Sequence, residues 1–423
     1  MKKLETLKFN IEFISPLINR REKCKDSVLL PQTVRGVMRY YFRATAARVF
    51  GNNYKKIKGL EDIIFGSNNN KSLFDVTISL QRENKIKLSK LMNLRYSLYG
   101  IILNKKSNDC KNKEEQNNEN PNEKINLLDS GSEFSIRFIF YKSFFKRRIK
   151  DYNKVDEHFY KFKEFIKDLF VLISLVGGFG AKVKKGFGQF VIRNIERDIK
   201  LEDIGTILKS LEEKIKYLDK IFVKENEKNK ENSTNNSSIS DEAFDFPAFV
   251  DGFFHVYKLK KEFYSDKDAL RNIYSPEKNN FSYLDLKKKL RDSAFKDAIQ
   301  NFNDEKKVDF NDALLGLPVL FYYSKANYKL NALDDKGNEY RKSSLLTIKL
   351  WKEKNGKYKV YLIVLLSKIH LKNSKLVLKK IVKIKNREGK SKKKEFKSSI
   401  NIDFDYNKLK NTIEKYKELN KII

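Results

Sequence analysis

Apolar and polar residues alternate along several short stretches of the chain, beginning with residues 7–13. Alternation with a period of two places the apolar side chains on one face of a strand, so residues 7–13 are predicted to form a half-buried strand. The stretches 74–80, 134–141 and 190–195 are predicted to be further strands. Together these four stretches predict a sheet in the N-terminal half of the chain.

Two longer stretches carry apolar residues at helical spacing. Residues 33–50 are predicted to form a helix that Thr33 caps, and residues 159–175 a helix with an apolar stripe on one face. A glycine-rich turn follows the second helix and leads into the strand predicted at 190–195. The N-terminal half therefore combines helices with a sheet.

The C-terminal part of the chain repeats this mixture. Asn355-Gly356 is its strongest turn signal, because both residues accept the positive φ angles of a tight hairpin. The strands and helices do not alternate in the short βαβ units of a parallel sheet, so the predicted fold class is α+β. The elements predicted here are a helix at 283–302, a strand at 319–323, a hairpin of 345–351 with 358–366, and a last helix capped by Asp405.

Two segments contain almost no apolar residues and divide the chain. Residues 104–126 are predicted to be a disordered insertion, and residues 224–242 a flexible linker, because neither could bury a core. The predicted domains are accordingly residues 1–223 and 243–423. A third basic stretch, residues 383–397, is predicted to be an exposed loop.

The composition adds a large positive charge to this outline. Of the 423 residues, 89 are Lys or Arg and 55 are Asp or Glu, which gives a formal net charge of +34. A charge of this size repels itself and favours a polyanionic partner. Only 17 of the basic residues are arginine, and enrichment in Lys and Asn is also typical of AT-rich genomes. The positions of the few arginines are therefore more informative than the total charge.

The cysteines and the apolar runs indicate a cytoplasmic protein. Cys24 and Cys110 are isolated in polar surroundings, so neither a disulfide framework nor a thiolate metal site is predicted. Residues 1–17 lack the continuous apolar stretch of a signal peptide. The longest apolar run, residues 360–366, is too short to span a bilayer, so no membrane contact is predicted.

Three arginines of the first predicted helix form the first candidate site. Arg35, Arg39 and Arg43 are spaced four residues apart, which aligns their guanidinium groups on one helix face. Few acidic residues stand near them in the sequence, and a guanidinium pairs with phosphate through two parallel hydrogen bonds. The arginine ridge is predicted to bind phosphate, with a solvated helix face as the alternative.

The glycine-rich turn at residues 177–188 is the second candidate site. Its five glycines let the backbone turn tightly, and successive N–H groups can then form an anion-binding nest. The missing Gly-Lys-Ser/Thr ending excludes a nucleotide-binding P-loop. Its lysines are Lys182, Lys184 and Lys185, and its aromatic residues, predicted to stack on bases, are Phe179 and Phe187. The alternative is a plain glycine hairpin.

A weaker third candidate combines residues 315–320 with Arg341 and Lys342. Taken alone, these residues predict only a strand edge and a polar turn. The three histidines, His158, His255 and His370, are isolated in the sequence, and no zinc-ligand spacing or Ser/His/Asp arrangement stands out. No catalytic residue, metal or cofactor is therefore predicted.

The order of these motifs resembles the RAMP superfamily of CRISPR proteins. Within it, the set is similar to the first subunit of the type III-B (Cmr) RNA-targeting effector complex. The glycine loop 177–188 is the superfamily's most recognisable element, and the other motifs make the resemblance more specific. The motifs that carry it are Phe13–Leu17, Leu30–Arg43, Ile64–Ser67, the glycine loop, Leu315–Pro318 and Arg341–Ser344.

The resemblance implies a fold and a function. The fold is two ferredoxin-like (RRM-like, βαββαβ) units in tandem. The function is that of a non-catalytic subunit, not an enzyme, which holds the 3′ region of the CRISPR guide RNA and the target RNA in antiviral defence, beside other Cmr effector subunits. The RNA-binding residues are then predicted to be Arg35, Arg39, Arg43, Lys182, Lys184, Lys185, Arg341 and Lys342.

Other functions stay open at this point. Some RAMP proteins are endoribonucleases that process CRISPR transcripts, typically with a histidine from the N-terminal half, whereas here no histidine precedes His158. The target-cutting backbone subunit uses a loop aspartate before its first helix, and Asp26 lies at about that place. A basic ribonucleoprotein scaffold unrelated to CRISPR would bind folded RNA without preferring a repeat-derived guide.

Overall fold

The computed structural model defines which parts of the chain are described. These are residues 5–20, 26–101, 122, 123, 125–195, 200–222, 244–275, 281–291, 311–317, 319–323, 326–334, 336–368, 375–385, 391–400 and 405–423. The predicted linker 224–242 lies outside the described residues, as does most of the predicted insertion 104–126. The end of that insertion was predicted wrongly, because Asn126 begins a strand and Asn122 and Ile125 are buried.

The N-terminal unit contains six strands and five helices among the described residues. They are β1 (Glu5–Phe13), α1 (Pro31–Phe50), α2 (Tyr54–Phe65), β2 (Phe74–Arg82), β3 (Lys85–Lys87), β4 (Asn126–Leu128), β5 (Glu133–Phe140), α3 (Lys142–Lys146), α4 (Val155–Val176), β6 (Phe190–Ile192) and α5 (Ile204–Ile221). Four of the strands form a sheet in the order β2-β5-β1-β6, with every neighbouring pair antiparallel.

An aromatic core joins this sheet to α4. The ring of Phe170 in α4 lies 4.5 Å from that of Phe9 in β1 and 5.3 Å from that of Phe138 in β5, measured between centroids. Phe42 of α1 packs edge-on against Phe165 of α4 at 6.1 Å. Helices α1 and α4 thus bury their apolar stripes together against the sheet, as the helical periodicity requires.

The C-terminal unit contains nine strands and three helices among the described residues. They are β7 (Phe254–Leu259), α6 (Asp266–Tyr274), α7 (Tyr283–Leu290), β8 (Val319–Tyr323), β9 (Ala326–Leu333), β10 (Glu339–Tyr340), β11 (Leu346–Lys352), β12 (Tyr358–Leu365), β13 (Lys375–Lys385), β14 (Ser391–Ile400), α8 (Tyr406–Glu414) and β15 (Leu419–Lys421). One antiparallel sheet has the order β11-β12-β7-β15, and a second, of five strands, contains β8, β9, β10, β13 and β14.

The two four-stranded sheets share one topology. If only the strands of these two sheets are counted, the first strand of each unit is followed by helices, two strands, one or two further helices and a last strand. In both sheets the strands stand in the order second, third, first, fourth. The structure therefore has the α+β class that the sequence predicts. No helix within the described ranges is long and apolar enough to cross a membrane.

The apolar run that is longest in the sequence is a strand buried on both faces. Val360, Leu362 and Val364 of β12 lie in the core of the C-terminal unit. Tyr361 and Ile363 point the other way, into the core that the N-terminal unit builds. A strand covered on both faces needs apolar residues at every position, which explains the unbroken run. The two units therefore share their cores through this sheet.

The glycine loop is docked on the edge strand of that sheet. The Gln189 side chain donates from Nε2 to the Ile348 carbonyl at 2.6 Å and accepts from the Leu350 amide at 2.5 Å. Ile348 in turn donates its amide to the Lys184 carbonyl at 3.0 Å. Lys349 of β11, which is fully buried, donates from Nζ to the Gly177 carbonyl at 3.1 Å. The N-terminal unit thus pairs with β11 almost as a further strand would.

Most predicted elements are confirmed, and three further details were wrong. The first helix begins at Pro31 with Leu30 as its N-cap, so Thr33 does not cap it. The helix predicted at 283–302 ends at Leu290, and residues 292–302 lie outside the described ranges. The basic stretch 383–397 is no loop where it is described, because it belongs to the paired strands β13 and β14.

Substitution of Gln189 tests the docking of the glycine loop. Gln189→Ala is expected to lower the free energy of unfolding by about 2 kcal/mol or more, because two buried backbone groups of β11 lose their partners. Chemical denaturation followed by circular dichroism measures this loss. Gln81→Ala, at an exposed position of β2, serves as the control. Equal stability of both variants would contradict the proposed importance of this contact.

Candidate nucleic-acid interface

The arginine ridge of α1 contacts an acidic residue that is distant from it in the sequence. Glu61 of α2 is completely buried and accepts from Arg39 at 3.1 Å and from Arg43 Nε at 2.6 Å. Arg39 also donates to the carbonyls of Phe65 and Gly66. A buried carboxylate needs such charged donors. These two guanidinium groups therefore hold α2 and its following loop against α1.

Arg35 also has an acidic partner. Its guanidinium donates to Asp75 of β2 at 2.9 Å, and the hydroxyl of Tyr141 donates to the same carboxylate at 2.6 Å. The premise that few acids neutralise the ridge is therefore wrong: Glu61 and Asp75 do so from elements that are distant in sequence. A role of the ridge in binding phosphate stays a prediction.

A polar groove of about 750 Å³ lies beside the ridge. Arg35, Arg39, Lys58 and Lys71 line it together with the loop that follows α2, but so does Asp62, which pairs with Lys58 at 2.5 Å. Since each of these cations except Lys71 has a carboxylate within contact distance, the groove offers little uncompensated charge.

The glycines of the loop 177–188 allow backbone to pack on backbone. Gly188 has a φ of +62°, and a Cβ there would lie 1.9 Å from the Phe179 carbonyl oxygen. At Gly178 an added Cβ would meet the Gly188 carbonyl oxygen at 2.5 Å. Only glycine fits such contacts. These two glycines therefore serve the internal closure of the loop and not a close approach to a ligand.

The two phenylalanines of the loop belong to the core, so the prediction that they stack on bases was wrong. Phe179 is completely buried and lies parallel to Phe190 at 4.7 Å between ring centroids. Phe187 is equally buried, among the residues of the C-terminal core. Their burial anchors the loop at both ends. The lysines between them lie at the interface between the N-terminal and C-terminal units.

Lys184 lies where the loop meets the C-terminal unit. Its ammonium donates to the Ser344 carbonyl and to the Ser343 hydroxyl, the latter at 3.2 Å, and it lies 5.9 Å from the centre of the Tyr40 ring. Burial, together with repulsion from Lys342, lowers the pKa of Lys184 to about 7. The glycine loop and the Arg341–Ser344 segment are therefore brought together, as neighbours across the joint.

Lys185 is surrounded by three tyrosine rings. Its ammonium lies 4.3 Å from the ring centre of Tyr283, 5.1 Å from that of Tyr96 and 5.7 Å from that of Tyr274. Ring faces attract a cation, but they do not replace its hydration or neutralise its charge. Burial, and then the charges of Lys182 and Lys287, lower the pKa of Lys185 to about 7.

Lys182 and Lys342 lie close to Lys184 and Lys185 and form a cluster of lysines with them. Lys182 adopts a left-handed φ of +61° and donates from Nζ to the Tyr99 carbonyl at 2.8 Å. Burial, and secondarily the charge of Arg341, lower the pKa of Lys182. Burial also lowers the pKa of Lys342, although Asp245 acts against this. Arg341 itself is exposed at the edge of the cluster.

These residues line a groove of about 840 Å³ between the two units. It contains six cations, and none of the described residues that line it is acidic. The six are Arg95, Lys182, Lys184, Lys185, Lys287 and Lys342. We call it the lysine groove. Of the eight predicted residues, three form the arginine ridge at α1 and four line this groove. The eighth, Arg341, is exposed beside the groove and does not line it.

Reasoning from sequence missed five residues of the lysine groove: Arg95, Tyr96, Tyr99, Tyr283 and Lys287. They come from a 3-10 helical segment, residues 88–94, with the turns after it, and from α7. Interleaved basic and aromatic residues are the signal that could have pointed to them, since such a mixture is typical of nucleic-acid surfaces.

The described histidines and Asp26 lie outside the lysine groove. His158 Nδ1 is 2.5 Å from the Tyr217 hydroxyl, and His255 Nε2 is 3.1 Å from the Gly252 carbonyl. Asp26 accepts from the backbone and side chain of Asn126. None of these three residues lines the lysine groove. Within the described ranges, no group of three or more His, Cys, Asp or Glu residues could hold a metal ion.

Comparisons with known proteins agree with this architecture. Residues 10–191 match the family model of the RAMP superfamily. The CRISPR system Cmr subunit Cmr1-2 of Pyrococcus furiosus is 25% identical over 198 residues, which cover 44% of this chain and 94% of that protein. The apo crystal structure of Cmr1 from Pyrococcus furiosus aligns with a TM-score of 0.50 and 15% identity over 99% of this chain and 98% of its own. The resemblance predicted from the sequence is confirmed.

The arginine ridge can be tested by its effect on stability. Arg39→Ala is expected to lower the free energy of unfolding by about 2 kcal/mol, because the buried Glu61 loses a charged partner. Arg35→Ala breaks a more exposed pair and should cost less than about 1 kcal/mol. Chemical denaturation of both variants measures the difference. If both substitutions had the same small effect, Glu61 would not depend on Arg39.

Proposed function

We propose that this protein, whose residues 10–191 match the family model of the RAMP superfamily, is a subunit of a Cmr-type CRISPR effector complex that holds RNA and does not cut it. Its partners in this proposal are the CRISPR guide RNA, whose 3′ region it holds, the target RNA, and other Cmr effector subunits. The lysine groove supplies the binding surface. The similarity to the Cmr subunit of Pyrococcus furiosus supports the choice of complex.

The observation that carries the proposal is the positive charge of the lysine groove, in which none of the described lining residues is acidic. Six cations line it without an acid among the described residues, whereas the groove beside the arginine ridge contains Asp62 and borders Glu61. Cations gathered without counter-charges repel one another, and a polyanion removes that repulsion. A phosphate backbone in the groove would satisfy several of them at once.

The lowered pKa values in the groove point the same way. Lys184 and Lys185 have a pKa of about 7, in each case through burial first and neighbouring lysines second. The charged form of each is thus disfavoured in the free protein. A phosphate nearby would favour the charged form, so bound RNA and protonated lysine stabilise each other.

Holding is favoured over cutting by the chemistry that lines the groove. Cleavage of RNA needs a group that takes the proton of the 2′-hydroxyl. Neither described histidine lines the groove, and Asp26 is bonded to Asn126 at another place. The nearest substitutes are the two lysines with a pKa of about 7. The ammonium of Lys184 is bonded to Ser343 and Ser344, and that of Lys185 is surrounded by three tyrosine rings.

We further propose that both units are ferredoxin-like, in tandem, with residues 1–223 and 243–423 as the domains. The shared succession of elements and the shared strand order in both four-stranded sheets support this interpretation. The lysine groove would then lie between two similar units. The glycine loop comes from the first and the 341–344 segment from the second.

A direct test incubates the purified full chain with end-labelled single-stranded RNA that carries a repeat-derived tag, with and without divalent metal. The samples are read on native and denaturing gels. A shifted but intact RNA, with binding that weakens as salt rises, supports the proposal. Discrete cleavage that persists through further purification would support the endoribonuclease alternative and overturn the holding role.

Substitution of two half-buried groove lysines should weaken this binding. Lys182→Gln combined with Lys287→Gln is expected to lower the affinity for RNA about tenfold and to reduce the salt dependence by one to two released counterions, about one per lost phosphate contact. Fluorescence anisotropy at several salt concentrations measures both. Lys146→Gln combined with Lys415→Gln removes the same charge from exposed sites outside the groove and is the control. Identical salt slopes in the two double variants would exclude the groove.

The binding should also depend on pH. Lys184 and Lys185 are largely protonated below pH 7 and neutral above it, given their pKa of about 7. The affinity for RNA is therefore expected to fall about tenfold between pH 6 and pH 8.5. A variant with Lys184→Met and Lys185→Met should bind more weakly at pH 6 and show a flatter profile. A wild-type profile as flat as that of the variant would contradict the assignment.

A further inference from the structure

Residues 88–101, a 3-10 helix and the turns that follow it, contribute Arg95, Tyr96 and Tyr99 to the lining of the lysine groove. Leu91, Leu94 and Leu98 are almost fully buried in the C-terminal core. The Ser97 hydroxyl donates to the Leu94 carbonyl at 2.7 Å, and the Leu98 amide donates to the same carbonyl at 3.1 Å. The spacing of these leucines fixes which side chains of the segment point outward.

Two tyrosines occupy the outward positions, three residues apart. Tyr96 is 37% exposed and borders the ring cluster around Lys185, with its centroid 6.2 Å from that of Tyr274. Tyr99 is 68% exposed, and its carbonyl is held by Lys182 at 2.8 Å. Within the described ranges no aromatic ring packs on the ring of Tyr99. Its ring face is therefore open while its backbone is fixed.

We propose that Tyr99 is a stacking platform for one unpaired base of the RNA held in the lysine groove, so that the groove takes single-stranded RNA and not a duplex. This inference rests on the proposed function. The phosphates beside that base would lie against Lys182 and Arg95, which line the groove next to Tyr99. Tyr96 borders the same position but is already engaged with Lys185.

Physical chemistry favours a base at this position. Exposure of an aromatic ring to water is unfavourable, and a nucleobase can cover the ring without requiring a particular sequence, because every base has a π face. In a duplex each base is stacked between its neighbours and offers no free face. Cations beside an exposed aromatic ring are the combination that single-stranded nucleic acids use. A protein partner could also cover Tyr99, but the groove around it contains only cations among its charged described residues.

The test compares three variants of the full chain. Tyr99→Ala removes the ring and Tyr99→Phe keeps it. Tyr264→Ala is the control, because Tyr264 is 86% exposed but lies outside the groove. Affinities for a mixed-sequence single-stranded RNA and for the same sequence as a duplex are measured by anisotropy at several salt concentrations. Photocrosslinking to 5-iodouracil placed along the single strand, followed by peptide mass spectrometry, locates the contact.

The expected result is specific to stacking. Tyr99→Ala should bind the single strand about tenfold more weakly with an unchanged salt slope, since no phosphate contact is lost. Tyr99→Phe and Tyr264→Ala should bind like the wild type, and the crosslink to the peptide of Tyr99 should disappear only in Tyr99→Ala.

Other outcomes overturn the inference in distinguishable ways. If the wild type binds RNA with a steep salt slope and Tyr99→Ala binds equally well, the stacking role is excluded while the proposed function stands. Tyr99 would then be a candidate contact for a protein subunit. A lower salt slope in Tyr99→Ala, or equal binding of duplex and single strand by the wild type, would also exclude stacking. If the wild type binds no RNA at all, the proposed function fails together with the inference.

Discussion

The contact between the glycine loop and strand β11 is the interaction on which the rest of the structure depends. Gln189 satisfies a carbonyl and an amide of β11 with one side chain, at 2.6 and 2.5 Å. An edge strand of a sheet presents unpaired backbone groups that must find partners when they are buried. Here the N-terminal unit supplies them. The same contact brings the loop lysines opposite the 341–344 segment, so the lysine groove exists only because the two units are joined in this register.

Charge is distributed differently in the two basic regions, and burial explains the difference. In the arginine ridge the cations surround the buried carboxylate of Glu61, so they stabilise the packing of α2. In the lysine groove the ammonium groups of Lys184 and Lys185 contact carbonyls, hydroxyls and tyrosine rings. Such neutral partners lower the cost of burying a charge without cancelling it. An anion would therefore be bound more favourably in the groove than at the ridge, because carboxylates of the protein already neutralise the arginines of the ridge.

Sequence reasoning predicted the elements well and the sites only in part. The strands and helices follow from local periodicity, and the hairpin at Asn355-Gly356 follows from turn chemistry, so both could be found without tertiary information. The arginine ridge was correctly placed on one helix face, yet its acidic partner Glu61 lies 18 to 22 residues away and no local pattern links them. Burial of Phe179 was equally invisible, because an aromatic residue between glycines looks the same in a core and on a surface. Tyr99 joins the groove only through the tertiary position of its segment.

The glycine loop shows how one motif can serve packing and binding through different residues. Its glycines close the loop on itself, since an added Cβ at Gly188 would collide with the Phe179 carbonyl. Its lysines carry the charge that faces the groove. Loss of a glycine would therefore affect the proposed RNA binding through the shape of the interface between the two units, whereas loss of a lysine would affect it through charge. The salt dependence of binding separates the two effects, because only a lost phosphate contact changes the number of counterions released. A glycine variant that still folds should consequently bind more weakly with its salt slope preserved wherever the remaining lysines still reach the phosphates.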